Sequence, residues 1–139
     1  MKFPLVVSGN GTLMIAPSDF FTKIGKLDFA DSTLEINVTS KGTAGLNWFL
    51  DANGDFYDLA LLGSVPPSLL QRLGVLRARE KFRIAAARKI SVQELTDRIS
   101  GLTDRFEEAP NVSDLKTLLS SSSPDQLLTP QVMSRYLGE

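Results

Sequence analysis

Residues 46–62 read LNWFLDANGDFYDLALL, two apolar runs separated by Asn53-Gly54. This dipeptide is typical of a two-residue type I′ turn, because both residues tolerate positive φ. Such a turn makes Ala52 face Asp55 and fixes the register of a β-hairpin outward from there. One face then holds the apolar pairs Leu50 with Tyr57, Trp48 with Leu59 and Leu46 with Leu61. The stretch therefore predicts an antiparallel hairpin with one fully apolar face.

The other face of this hairpin is mixed acidic and aromatic. The same register pairs Asp51 with Phe56 and Phe49 with Asp58. Aromatic rings supply much of the energy of a protein interface, and carboxylates steer a basic target. We therefore expect a partner-binding site at Phe49, Phe56, Asp51 and Asp58. The alternative is that another layer of the protein covers this face.

The rest of the first half is also predicted to form mainly strands. Residues 3–8 and 12–16 flank SGNG, a second tight-turn sequence. Residues 33–39 alternate between apolar and polar side chains, with Leu34, Ile36 and Val38 on one face, as expected of a half-buried strand. A short helix is predicted between Ser18 as its cap and Gly25 as its stop.

The second half has helical patterns. Ser91 and Glu94 form a capping box, and the apolar residues that follow are spaced three and four apart: Val92, Leu95, Ile99, Leu102 and Phe106. Ala109-Pro110 is expected to end this helix. A shorter helix begins at Asn111 or Ser113 and runs through Leu119, and the serines at 120–123 form a hinge. Ser123-Pro124 and Thr129-Pro130 are each predicted to open a further short, packed helix.

These patterns predict one α+β domain over residues 1–139. An antiparallel sheet from 1–62 would pack against helices from 64–139 in two layers.

Residues 72–89, RLGVLRAREKFRIAAARK, hold seven cations and one acid in a chain of net charge −1. We predict a helix over 69–89, with Gly74 as a point where it can break in two. At about 100° per residue its cations form two opposite stripes. The stripes are Arg72, Arg79 and Arg83 on one side and Arg77, Lys81 and Arg88 on the other. Since phosphate binding favours one continuous cationic face, this split favours a structural role over an anionic protein partner or nucleic acid.

Catalytic and metal-binding chemistry is not indicated. The chain has no histidine and no cysteine, which excludes thiol nucleophiles, disulfides and zinc sites built from nitrogen and sulfur ligands. Residues 51–55, DANGD, place oxygen ligands at alternating positions as a calcium loop does. However, Phe56 and Leu62 stand where that loop needs a glycine and a bidentate acid. We expect no enzyme activity, no metal and no cofactor.

The N-terminal apolar run stops after Val7 and contains Pro4, so no secretion signal is predicted. No apolar run is long enough to span a bilayer. We expect a soluble cytoplasmic protein with no membrane association.

By exclusion, the sequence favours a non-enzymatic protein-binding module. Its most concrete form is a bacterial inhibitor or immunity-type protein that occludes a toxin or enzyme. One alternative is a nucleic-acid-binding regulator, and another is a subunit or chaperone of a larger phage or secretion assembly. The regulator would use the cations Arg72, Arg77, Arg79, Lys81, Arg83 and Arg88. The oligomeric state is left open.

Overall fold

The computed structural model describes residues 1–37, 45–65, 79–104 and 111–138. Nine strands and four helices form in this part of the chain. The strands are β1 (Leu5–Gly9), β2 (Thr12–Ala16), β3 (Gly25–Asp28), β4 (Thr33–Asn37), β5 (Leu46–Leu50), β6 (Asp55–Val65), β7 (Arg79–Ile84), β8 (Arg88–Lys89) and β9 (Thr103–Asp104). The helices are α1 (Phe20–Ile24), α2 (Val92–Ile99), α3 (Asn111–Ser120) and α4 (Pro130–Leu137).

All nine strands belong to one sheet that curls into a half-barrel. The strand order is β3-β4-β7-β6-β5-β1-β2-β9, and β8 pairs with β6 off this path. Every pair is antiparallel except β2 with β9, so the sheet is mixed, not purely antiparallel as predicted. The eleven-residue β6 joins the two ends of the sheet, because its first half pairs with β5 and its second half with β7.

Two strands, a short helix and a further strand form in the first 37 residues as the sequence predicts, and β3 is an additional strand that it did not predict. β1 and β2 form a hairpin around Asn10 and Gly11, which both take positive φ (52° and 73°). α1 forms and gives way to β3 at Gly25, although Asp19 and not Ser18 is its N-cap residue. Leu34 and Ile36 are buried on one face of β4, while Val38 lies outside the described residues.

The β5–β6 hairpin forms one residue out of the predicted register. Leu50 pairs with Phe56, Phe49 with Tyr57 and Trp48 with Asp58. The loop holds three residues instead of two, because the N–H of Asp51 donates to the carbonyl of Asp55 (2.9 Å) across it. Gly54 takes the left-handed conformation (φ +85°) that closes a three-residue turn. The slip places Phe56 on the face of Trp48.

The basic segment is not the helix predicted over 69–89. Residues 79–84 form β7 and residues 88–89 form β8, while 66–78, including Arg72, Gly74 and Arg77, lie outside the described residues. Glu80, Phe82 and Ile84 are buried and alternate with three cations. Pairing with β4 on one side and β6 on the other satisfies the backbone of this segment, and burial of Phe82 and Ile84 outweighs its local helical preference.

The second half keeps most of its predicted helices. Ser91 caps α2 and accepts a hydrogen bond from the N–H of Glu94 (3.1 Å), and Thr129 caps α4. α2 ends at Ile99 and does not continue to Phe106, since residues 103–104 pair with β2 as β9. Residues 123–126 form a turn, closed by the bond from Gln126 to Ser123, where a helix was expected. Flexibility of the serines at 120–123 stays a prediction.

Two apolar clusters pack against the sheet. The helix-side core joins Trp48, Leu50 and Phe56 to α2, α3 and α4. The strand-side core holds Phe49, Tyr57 and Phe82 with Phe21 of α1. The α+β character agrees with the sequence, but the sheet does not come from residues 1–62 alone, since β7, β8 and β9 belong to the second half. The two-layer packing and the single domain stay predictions.

Candidate functional site

The four predicted partner-binding residues do not form one surface. Phe49 is fully buried in the strand-side core and Phe56 is fully buried in the helix-side core, on opposite faces of the sheet. Asp51 is fully buried as well, and Asp58 keeps 44% of its side chain exposed. Neither ring is therefore exposed as the predicted site requires. The one-residue slip moves Phe56 to the face of Trp48, and Phe49 lies on a face that Phe21 of α1 covers, as the alternative predicted.

Asp51 organises the turn and is not free to bind a partner. Its Oδ1 accepts hydrogen bonds from the N–H groups of Asn53 and Asp55, both at 2.9 Å. Its Oδ2 accepts from the N–H of Lys2 (3.1 Å) and the hydroxyl of Tyr57 (3.4 Å). Burial, together with the charges of Asp51 and Asp55, raises the pKa of Tyr57 to about 12. This carboxylate explains the three-residue turn, because it satisfies backbone donors that a two-residue turn would arrange differently.

Two arginines that lie over Phe56 and two carboxylates form a charged network between the sheet and α2. Arg88 pairs with Glu94 (Nη2 to Oε1, 2.8 Å) and with Asp58 (3.4 Å). Arg98 contacts the same two carboxylates at 3.6 and 3.4 Å. The guanidinium carbons of Arg88 and Arg98 lie 4.8 and 4.9 Å from the centre of the Phe56 ring. The network is neutral and internally paired, so its role is to fix α2 on the sheet.

The pKa values of two members of this network reflect the pairing. Hydrogen bonding to Glu94 raises the pKa of Arg88, and hydrogen bonding to Arg88 lowers the pKa of Glu94 despite partial burial. The capping box at Ser91 and Glu94 forms only one of the two hydrogen bonds that such a box normally contains. Its N–H donates to Ser91, while its carboxylate faces the two arginines.

Three further cations of the basic segment lie together on β7, while Lys89 of β8 pairs with Asp55 (2.8 Å). Arg79 and Arg83 are exposed and Lys81 is half-buried, and all three point to one face because side chains alternate along a strand. Residues two apart on a strand are separated by about 7 Å, so the row is about 14 Å long. We call this row, with its neighbours on β4 and β6, the cationic sheet face.

The cationic sheet face continues the side of the sheet that carries the helix-side core. Arg83 pairs with Ala60, which lies on the same face of β6 as Asp58 and Phe56. α2, α3 and α4 pack over the Phe56 end of this face. At the β7 end the exposed side chains of Arg79 and Arg83 leave the surface open. This face of the sheet is therefore covered by helices at its Phe56 end and presents charged side chains at its β7 end.

The neighbours of this row are polar on one side and apolar on the other. On β4, Glu35 pairs with Arg79 (3.3 Å), whereas Lys81 and Arg83 make no ion pair with any residue in the described ranges. On β6, Leu61 pairs with Phe82 and so lies on the opposite face, whereas Ala60 and Gly63 pair with Arg83 and Lys81, and the bulge between Leu61 and Gly63 leaves Leu62 46% exposed. Cations without an ion pair beside an exposed leucine are compatible with a contact surface.

A period-two pattern in the sequence marks this row. Residues 79–84, REKFRI, alternate a cation with Glu80, Phe82 and Ile84. Such alternation over six residues is the signature of a half-buried strand. The three alanines at 85–87 also fit a helix, so this stretch is compatible with a helical period as well as with the period of two that indicates a strand.

The search for a metal site covers the side chains that the structure describes. Within the described ranges no three acidic groups lie together in a way that could hold a metal ion. An open cavity beside the start of α3 is lined in part by Asp104, Ser113 and Lys116. The carboxylate of Asp104 already accepts a hydrogen bond from the N–H of Val112 (2.6 Å), which caps α3.

Comparison with known proteins found no matching family, no matching curated protein and no matching solved structure. Among the described helices, none has the length and apolar content needed to cross a membrane.

Proposed function

We propose that this protein is a non-enzymatic protein-binding module whose partner presents an acidic surface to the cationic sheet face. The observation that carries the proposal is the convergence of Arg79, Lys81 and Arg83 on one face of β7, beside the exposed Leu62 of the β6 bulge. The cations steer an acidic partner, and Leu62 supplies apolar area that is dehydrated on contact.

An acidic protein suits this face better than nucleic acid. Glu35 lies directly across from Lys81, and Asp28 lies on the same face at the edge of the sheet. These carboxylates would repel a continuous phosphate backbone but can pair with a protein of mixed charge. Single-stranded nucleic acid also needs aromatic rings for stacking, and among the described residues paired across this face none is aromatic.

The specific form of this proposal is an inhibitor or immunity-type protein that occludes a toxin or enzyme. A rigid sheet face suits that role, because a pre-organised surface loses little conformational freedom on binding. The row is held on both sides by β4 and β6, so its side chains project from a fixed backbone.

Two charge-reversal variants test the proposal. Lys81→Glu/Arg83→Glu reverses the two cations that have no described ion pair, and Lys116→Glu/Arg135→Glu reverses two exposed cations on α3 and α4 as a matched control. Each tagged protein is incubated with lysate of the source cell, and retained proteins are quantified by mass spectrometry. A protein retained by wild type and control but lost with the β7 variant is purified, and its affinity for all three is measured by calorimetry.

We expect the β7 variant to bind that protein at least about tenfold more weakly, since each reversed contact replaces attraction by repulsion. Loss of binding in the control variant alone would place the site elsewhere. Fluorescence anisotropy with single-stranded and duplex oligonucleotides decides the alternative. Tight oligonucleotide binding that falls steeply with salt, and is abolished by the β7 variant, would replace the protein partner by nucleic acid.

A further inference from the structure

β3 is the end strand of the sheet, and its outer edge is available for pairing. Its residues pair with β4 on one side and, in the part of the chain that the structure describes, with no strand on the other. In an antiparallel strand alternate residues direct their N–H and C=O groups to each side, so this edge carries backbone groups that β4 does not use. Gly25 already uses its N–H, which donates to the carbonyl of Phe21 at the end of α1.

We propose that two copies of this chain associate through β3, as an antiparallel pair centred on Leu27. A two-fold axis at Leu27 requires each residue to face the residue at the mirrored position of the second copy. Lys26 then faces Asp28 of the second copy, and Asp28 faces its Lys26. Lys26 makes no ion pair with the described residues of its own chain, so its ammonium is free for this contact. The charges of the strand are therefore self-complementary.

The other face of β3 is complementary in shape and polarity. Leu27 is partly buried at the margin of the strand-side core, and the axis brings it against Leu27 of the second copy. The same register brings Phe29, the first residue after β3 and 62% exposed, level with Gly25 of the second copy. An aromatic ring packs readily over a glycine on a neighbouring strand, since that residue has no side chain. An exposed phenylalanine thus acquires a contact.

The central lysine selects a second copy over other strands. A lysine within an edge strand normally opposes strand addition, because an apolar strand leaves its charge without a partner. Asp28 lies two residues after Lys26, so a partner strand can pair with both charges only if it places an acid opposite Lys26 and a cation opposite Asp28. β3 itself has that order when antiparallel. With four residues in β3 the contact is small, so we expect a weak dimer that depends on concentration.

The association is measured by sedimentation velocity between about 10 µM and 1 mM at low salt, where a weak dimer becomes populated. We expect the average mass to rise from 15.2 kDa toward twice that value. Lys26→Asp and Asp28→Lys each place like charges opposite one another and should weaken dimerisation about tenfold. The double variant restores both pairs and should return close to wild type. Arg135→Asp on α4 is the matched control and should dimerise normally.

Folding of each variant is checked by circular dichroism, because Asp28 also accepts the N–H of Asp31 within its own turn. Phe29→Ala removes only an exposed ring, so it should weaken the dimer without loss of fold. A mass of 15.2 kDa at 1 mM, or a dimer unaffected by both single charge reversals, would overturn the proposal. The test does not depend on the cationic sheet face: Lys81→Glu/Arg83→Glu leaves β3 intact and should retain the dimer.

Discussion

Phe56→Ala tests the register of the central hairpin directly. In the structure the Phe56 ring is fully buried, with its centre 5.4 Å from that of Trp48. The guanidiniums of Arg88 and Arg98 cover it at 4.8 and 4.9 Å. The register expected from Asn53-Gly54 would instead place this ring on the mixed acidic face, away from Trp48. A buried ring and a ring exposed on a partner-binding face therefore predict different energies for the same substitution.

The expected cost follows from what the ring contacts. Truncating a buried phenylalanine to alanine costs about 3–5 kcal/mol, through lost apolar transfer and the cavity that remains. Two cation–π contacts with half-exposed arginines account for about 0.5–1 kcal/mol each. Phe56→Leu retains most of the apolar volume but loses the ring, so it should cost about 1–2 kcal/mol. An exposed ring on a partner-binding face would leave the free energy of unfolding within about 1 kcal/mol of wild type.

The free energy of unfolding is measured by urea titration with circular dichroism at a few micromolar protein. Phe29→Ala serves as the matched control, because the same substitution removes a ring that is 62% exposed, and it should change stability by less than about 0.5 kcal/mol. If Phe56→Ala fails to fold, Phe56→Leu still gives a measurable value. A folded Phe56→Ala protein that loses less than about 1 kcal/mol would refute the observed register.

Two further predictions concern pH. The folded pKa of Glu94 is lowered from 4.5, so its contribution to stability is present above that value and is lost as pH falls through the folded pKa. Glu94→Gln should therefore make the loss of stability below about pH 5 shallower, as urea titrations from pH 7 to 3 would show. The difference from wild type should be less than about 1 kcal/mol, because both side chains of the Arg88–Glu94 pair are more than a third exposed. Steeper acid unfolding in the variant would contradict this. For the chain's two tyrosines, burial raises the pKa of Tyr57 to about 12 and that of Tyr136 further, so the native protein should show little phenolate absorbance at pH 10–11. The stability due to Tyr57 is present below pH 10 and declines as pH rises toward 12, and a native transition near pH 10 would show that a ring is exposed.

Local signals were sufficient wherever the decisive contact lies within a few residues. Asn10-Gly11 specified the first hairpin, Ser91 the start of α2 and Thr129-Pro130 the start of α4. Each of these depends on the φ of one or two residues or on one side chain that satisfies a nearby backbone group. The alternation at Leu34 and Ile36 likewise identified the buried face of β4, because a half-buried strand repeats every two residues.

The candidate site depends on contacts between distant parts of the chain. The sequence shows that the β7 segment is basic and that its cations alternate with apolar residues such as Phe82, but the same stretch also fits a helical period. The choice between helix and strand depends on whether neighbouring strands are present on both sides to pair with the segment. β4 and β6 provide them, and both come from the first half of the chain. The network of Asp58, Arg88 and Arg98 likewise joins residues that no local spacing connects.

By itself the sequence determined where the two hairpins turn and where α2 and α4 start, since these follow from single residue types and their near neighbours. The tertiary structure alone decided the hairpin register and the fate of the basic segment. Asp51, buried against Lys2 and Tyr57, selects a three-residue turn over the two-residue turn that Asn53-Gly54 favours. That shift of one residue places Phe56 under α2 on the face of Trp48, instead of on the face of Phe49. A strand exposes or buries a side chain according to its neighbours in space, and those neighbours are fixed only when the whole sheet has formed.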